Sequence, residues 1–444
     1  MRTTLSTLVL CTLIALAAVG QQRKIDFVRY TLPNGLKVIL HQDTSVPVTA
    51  VTVLYHVGSK NEKPGQSGFA HFFEHLMFEG SEYIKRGEYM KYVSNAGGQL
   101  NANTSQDRTF YFENLPSNQL KLALWLESER MMHAKIDTVG VNTQREVVKE
   151  EKRLRVDNRP YGSLLAEVCK RAFKGTPYEW VPIGTMEDLN TAKLGDFIDF
   201  YHTYYVPSNA VLTIAGDIDI AQTKKLIEEY FGPIPAAAHP VPRPEVKVQP
   251  LPHEIRDTIY DNIQLPAVIE AYRVPKQGTE DYYAFNVLAR LLSGGPSARM
   301  QKTLVDEKQL AAGVESVPLS LEGAGLFLNF GVVNVGVDPD TLQQNMDALV
   351  DTVKTTLIPE HEFQKVMNQI ESDFVSGYSR MLSLAESLAD YEVYFGDANL
   401  INTELARYQK VTREDLRRVA DKYLVPDNCV ILYYLPKSAA SKAE

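Results

Sequence analysis

The sequence predicts an α+β protein built from two homologous halves, each an antiparallel-rich β-sheet packed with helices. Three observations lead there. The stretch PIPAAAHPVPRPEVKVQPLP, residues 233–252, holds seven prolines. Proline fixes φ and lacks an amide donor, so the stretch reads as an extended connector between halves of about 200 residues each. The ends of the halves also match. YYVPSNAVLTI (204–214) and YLVPDNCVILY (423–433) each give an aromatic helix end, a Val-Pro turn, an Asn and a β-branched strand, 426 − 207 = 219 residues apart. A second match sets FAHFFEHLMFEG, from Phe69, against YAFNVLARLLSG, from Tyr283, at an offset of 283 − 69 = 214. Offsets this close indicate duplication of one unit.

The elements follow in chain order. Residues 1–20, MRTTLSTLVLCTLIALAAVG, pair a basic Arg2 with an apolar run and the small residues Ala18 and Gly20. That is the pattern of an export signal, with an uncleaved anchor as the alternative; the run is short for a span, and no stable membrane insertion is expected after cleavage. The first half then runs over 21–232. In it YTLPNGLKVILHQ (30–42) reads as two extended runs about Pro33-Asn34-Gly35, and 48–57 and 108–115 as strands. Residues 67–79, 85–95, 117–134 and 141–157 have helical periodicity. The linker covers 233–255, the second half 256–437, and 438–444 form a tail. At 44% hydrophobic and 23% charged, the chain has enough apolar residues for each half to bury its own core.

Charge and cysteines narrow the function. Without the signal, 46 − 1 = 45 basic and 55 acidic residues remain, a net charge of −10. A nucleic-acid backbone is therefore not an expected partner. Cys169 and Cys429 are the cysteines beyond the signal, one in each half. Both read as buried apolar residues, and they give no disulfide framework.

The chemistry concentrates in HFFEH, residues 71–75. Positions i and i+4 share a helix face, so His71 and His75 can direct imidazole nitrogens at one metal ion. Glu74 borders that face, where it can take a proton from a water; His-x-x-Glu-His is the inverted-zincin pattern. A structural histidine pair is the bland alternative. The repeat argues against it, because His71, Glu74 and His75 fall opposite Phe285, Leu288 and Ala289. The helix thus works in an apolar version, and three ionisable groups buried without partners would cost several kcal/mol.

A catalytic zinc wants a third protein ligand. In NTQREVVKEEKRLRV (142–156), Val147, Val148 and Leu154 are expected to form an apolar stripe. Glu151 falls on that stripe, and Glu150 is turned about 100° away among solvated charges. Glu151 is the expected third ligand. LLSGGPSARM (291–300) lacks the lysine of a phosphate loop, and Asn103-Thr104-Ser105 formally matches a glycosylation acceptor.

With these residues in view the chain resembles the pitrilysin/insulinase family of zinc metallopeptidases, which includes the mitochondrial processing peptidase. The resemblance rests on LPNGLKV (32–38), the glycine, serine and glutamate of VGSKNE (57–62), GFAHFFEHLMFEG (68–80), GGQLNANTSQDRTFY (97–111) and REVVKEE (145–151). It implies two homologous α+β domains around a peptide-admitting chamber and one Zn²⁺ per chain held by His71, His75 and Glu151. It also implies an edge strand near Asn101 and Ala102 that pairs with the substrate backbone. The chain departs from the family in two places. Gln144 stands where many members carry a second glutamate, leaving a side chain able to hydrogen-bond around the site. Val305 and Ala312 stand where active single-chain relatives carry an Arg and a Tyr. The resemblance therefore implies a homologous partner subunit that supplies this pair, in an exported, periplasmic enzyme. A non-catalytic peptide-binding or assembly subunit is the alternative.

Overall fold

The computed structural model describes residues 24–440. The export segment at 1–20 lies outside the described residues, as does the tail beyond 440. The first half contributes six strands: β1 (Val28–Thr31), β2 (Lys37–Gln42), β3 (Val48–Tyr55), β4 (Gln99–Thr104), β5 (Thr109–Pro116) and β6 (Ala210–Gly216). The second contributes β7 (Ile255–Asp261), β8 (Ala267–Val274), β9 (Ala311–Ser320), β10 (Gly325–Val333) and β11 (Cys429–Pro436). They form two mixed sheets, ordered β1-β2-β6-β3-β5-β4 and β7-β11-β8-β10-β9.

The second order repeats the first without β1. In each sheet the last strand in sequence runs parallel to one neighbour, β2 or β7, and antiparallel to the other, β3 or β8. The sequence repeat supplies the corner. Pro207–Asn209 and Pro426–Asn428 each form a 3₁₀ turn leading into the last strand. There Asn209 and Asn428 donate to the carbonyls of Tyr204 and Tyr423, at 2.8 Å each, so the same amide closes the same helix end twice. The hairpin expected about Pro33-Asn34-Gly35 is the antiparallel β1–β2 pair.

Alternation along the strands gives each sheet two apolar faces. Val38, Leu40, Val51 and Val53 pack beneath the helices Phe69–Leu76 and Leu120–His133. Ile39, Ala50, Leu54 and Phe110 face the other way and are covered by the helix Met381–Phe395, which belongs to the second half. The reverse also occurs. Val168, Cys169 and Ala172, on the helix Leu164–Ala172 of the first half, cover Ile269, Ala271, Leu326 and Leu432 of the second sheet. Each half buries a core of its own, as expected, and in addition the halves exchange helices over the second face of each sheet. The physical reason is that a sheet with two apolar faces needs two covering layers.

The proline-rich segment has neither helix nor strand over 235–254. Its Val241 packs on the first core, and Val246, Val248 and Leu251 on the exchanged core. Cys169 and Cys429 are buried free thiols.

Candidate metal centre

The helix Phe69–Leu76 buries Phe69, Phe72, Phe73 and Leu76 and turns His71, Glu74 and His75 to the opposite side. Its start is fixed by a buried carboxylate. Glu62 accepts the N–H groups of Gly68 at 3.1 Å and Ala70 at 2.8 Å, satisfying donors that a helix N-terminus leaves free. Gly68, at φ +94°, makes the turn into the helix. The helix Thr138–Lys152 crosses nearby and brings Glu151 to the imidazoles.

His75 Nε2 lies 3.1 Å and His71 Nε2 3.6 Å from Glu151 Oε2. The ring centroids of the histidines are 4.9 Å apart. One ligand atom from each of the three residues lies within 4.8 Å of the others. In a tetrahedral zinc site with bonds near 2.0–2.1 Å, neighbouring ligand atoms stand about 3.3 Å apart. The two distances to Glu151 bracket that value, so the donor set fits a zinc-sized ion. His71 Nδ1 is buried with no hydrogen-bond partner. Among the described residues this is the one His/Cys/Asp/Glu group arranged to hold a metal.

Protonation favours the same reading. Burial, then the neighbouring His75, push His71 down to about 4, so its imidazole is neutral and one ring nitrogen is free to donate an electron pair. A hydrogen bond from His75 lowers Glu151 and keeps it anionic. Burial raises Glu74, although the hydroxyl of Thr104 donates to its Oε2 at 2.6 Å and pulls the other way. A raised carboxyl suits a group that takes up and returns a proton.

The apolar stripe expected of Val147, Val148 and Leu154 does not form. Val148 is fully buried, but Val147 is 44% and Leu154 64% exposed. The inward face is Val141, Gln144, Val148 and Glu151, spaced three, four and three. Val147 and Leu154, seven residues apart, lie together about 100° to one side of it, and apolarity alone could not tell the faces apart. Glu150 points outward and pairs with Arg153 at 3.0 Å. Gln144 donates to Glu79, a buried carboxylate also held by Arg86. Asn101 and Ala102 lie on β4, at the edge of the six-stranded sheet, with the Ala102 N–H donating to Asn101 Oδ1 at 2.9 Å. Val305 is half-buried against the second core, and Ala312 is exposed on β9.

The contacts of three neighbours escaped the sequence reading. Thr104 holds Glu74 across 30 residues, which no local pattern reports. Glu62 caps the histidine helix through a loop. Arg155 Nη1 pairs with Glu151 Oε1 at 2.9 Å, an i,i+4 spacing that helical periodicity could have found.

Comparison with known proteins gives the family and the fold. The family described as Insulinase (Peptidase family M16) matches residues 37–184, which include His71, Glu74, His75 and Glu151. The family described as Peptidase M16 inactive domain matches residues 191–370. The zinc protease PqqE of Helicobacter pylori is 33% identical over 410 residues, covering 91% of this chain and 92% of that protein. The chain belongs to peptidase family M16. Solved M16 structures share its architecture. A protease from Helicobacter pylori superimposes with a TM-score of 0.89 at 31% identity, over 93% of this chain and 100% of that one. The periplasmic protease PqqL from Escherichia coli gives 0.76 at 20% identity, over 94% of this chain and 48% of the other, which supports the fold alone.

Proposed function

We propose that this M16 chain is a zinc-dependent endopeptidase, with His71, His75 and Glu151 as ligands and Glu74 as the general base. The convergence of these three side chains beside an edge strand carries the reading. Relatives named zinc proteases support it. A peptide segment pairs with the free edge of β4 near Asn101 and Ala102, through main-chain hydrogen bonds that accept many sequences. A zinc ion held by His71, His75 and Glu151 would supply Lewis acidity toward a water and a peptide carbonyl. Glu74 takes the water's proton on the oxygen that Thr104 leaves free, and returns it to the leaving amine. Arg155 holds the outer oxygen of Glu151 and keeps the inner one toward the imidazoles.

Val305 and Ala312 cannot donate hydrogen bonds from their side chains to a developing oxyanion. A homologous partner subunit therefore completes the site with an Arg/Tyr pair in a two-chain enzyme. Export to a bacterial periplasm fits the N-terminal sequence, and a structural neighbour is named a periplasmic protease. No helix among the described residues is long and apolar enough to cross a membrane.

Replacing Glu74 with Gln is the direct test. We expect peptide cleavage to fall by about 10²–10⁴-fold with zinc content unchanged; full activity in the purified variant overturns the role. The second reading, a non-catalytic assembly or peptide-binding subunit, draws on the inactive-domain family that matches residues 191–370. Zinc analysis of the purified chain separates the two, since an assembly subunit has no need of one ion per chain.

A further inference from the structure

The turn between β4 and β5, residues 105–108, is held from two sides by the second half. Asp107, 3% exposed, accepts the N–H of Glu322 on Oδ2 at 2.9 Å and the hydroxyl of Tyr178 on Oδ1 at 2.7 Å. Lys60 Nζ lies 2.9 Å from the same Oδ1 and also pairs with the carboxylate of Glu322. Tyr178 accepts the N–H of Gly323 at 3.0 Å, and His56 Nε2 lies 2.8 Å from Glu322 Oε2. Glu322 and Gly323 sit in the turn between β9 and β10. By strand order that turn is the counterpart of 105–108, so two equivalent hairpin tips meet.

The adjacent Arg108 binds a different element of the second half. Its Nη2 donates to Glu386 at 2.5 Å and its Nη1 lies 3.1 Å from Asp390, both on the helix Met381–Phe395. From below, the 58–60 loop presses on the same turn. A Cβ on Gly58 would stand 2.4 Å from the Ser105 carbonyl oxygen, and Lys60 N–H donates to Gln106 at 2.9 Å.

We propose that Asp107 and Arg108 are positioning residues through which the second half fixes the edge strand β4 and the Thr104–Glu74 contact. The inference rests on the reading that β4 docks peptide and Glu74 moves the proton. Three features carry it. β4 has one strand neighbour, β5, so its other edge has no ladder to hold it. Thr104, the last residue of β4, reaches Glu74 and lies three residues before Asp107. Burying Lys60 and Asp107 together adds little net stability compared with an apolar pair, which leaves placement of the turn as what the network supplies. The half without ligands thus acts on the chemistry of the other half.

The test uses the full-length, zinc-loaded chain with Asp107→Asn, Arg108→Ala and the conservative Arg108→Lys. Amide hydrogen exchange is followed at 99–104 and across 69–76, together with kcat and KM on an unstructured peptide. We expect exchange at 99–104 to quicken about tenfold in Arg108→Ala and Asp107→Asn with 69–76 unchanged. In the same variants kcat falls about 10–100-fold with zinc retained, and Arg108→Lys recovers most of it. Unchanged exchange at 99–104 in Arg108→Ala overturns the proposal, even if Asp107→Asn fails to fold. A wild-type chain without peptidase activity would count against the proposed function, and the exchange measurement would still decide the inference.

Discussion

The two halves treat the same layer of the fold in opposite ways. In the first, polar groups sit on the helix: His71, Glu74 and His75 project from Phe69–Leu76. The strand positions beneath, Val53, Ala102 and Tyr111, belong to its core. In the second, the helix Glu280–Ser293 carries Phe285, Leu288 and Ala289, all buried. Polar groups there move into the sheet. By register Glu270, Ser316 and Asn329 occupy the positions of Val53, Ala102 and Tyr111. Ser316 bonds Asn329 at 2.8 Å, and Asn329 donates to Glu270 at 3.2 Å. The fold accepts polar groups in either layer if they are partnered. In the first half the two imidazoles converge on Glu151 from a separate helix and Glu74 bonds Thr104; in the second the polar groups satisfy one another.

That contrast can be broken by moving the imidazoles. Phe285→His with Ala289→His places two histidines at the ligand spacing in the second half, on a helix face that is already buried. We expect a loss of about 3 kcal/mol or more in denaturant unfolding, from lost packing and unpaired polar groups. We also expect no second zinc in the purified protein, and two ions per chain would show that helix spacing alone makes the site. A smaller effect sharpens the difference between the inward and outward faces of the helix that carries Glu151. Val148→Ala should cost about 2 kcal/mol, whereas Val147→Ala and Leu154→Ala should each stay within about 0.5 kcal/mol. Equal losses at all three would restore the stripe that the sequence suggested.

The last expected effect is in pH. His71 is held at about 4 in the folded chain against an ordinary 6.5, so the unfolded chain takes up its proton first. Stability of the zinc-free protein from this group is complete above 6.5 and is lost as pH falls through the window down to about 4. Glu151, lowered by its hydrogen bond with His75, acts in the same direction at lower pH, while the raised Glu74 opposes both. Melting curves of zinc-free protein at pH 7 and pH 5 should show this loss, and His71→Phe should reduce it. No change in slope for that variant would remove His71 as the titrating group.

Short-range spacing gave the sequence its reach here. An i,i+4 histidine pair, a Val-Pro-x-Asn corner present twice and a proline-rich connector are each visible within a dozen or two residues. They suffice for an α+β duplication with one metal-bearing helix. Glu151 was reached on a partly mistaken face because Val147, Val148 and Leu154 are equally apolar as letters and unequal once packed.

What tertiary structure alone decided is partnership across long separations. The exchange of the helices Leu164–Ala172 and Met381–Phe395 depends on which sheet face lies open. The contacts Thr104–Glu74, Asp107–Glu322 and Arg108–Glu386 span 30, 215 and 278 residues. Periodicity reports which way a side chain faces relative to its own backbone. Only the packed chain fixes what stands opposite, because that depends on how separate elements come together to bury their apolar faces.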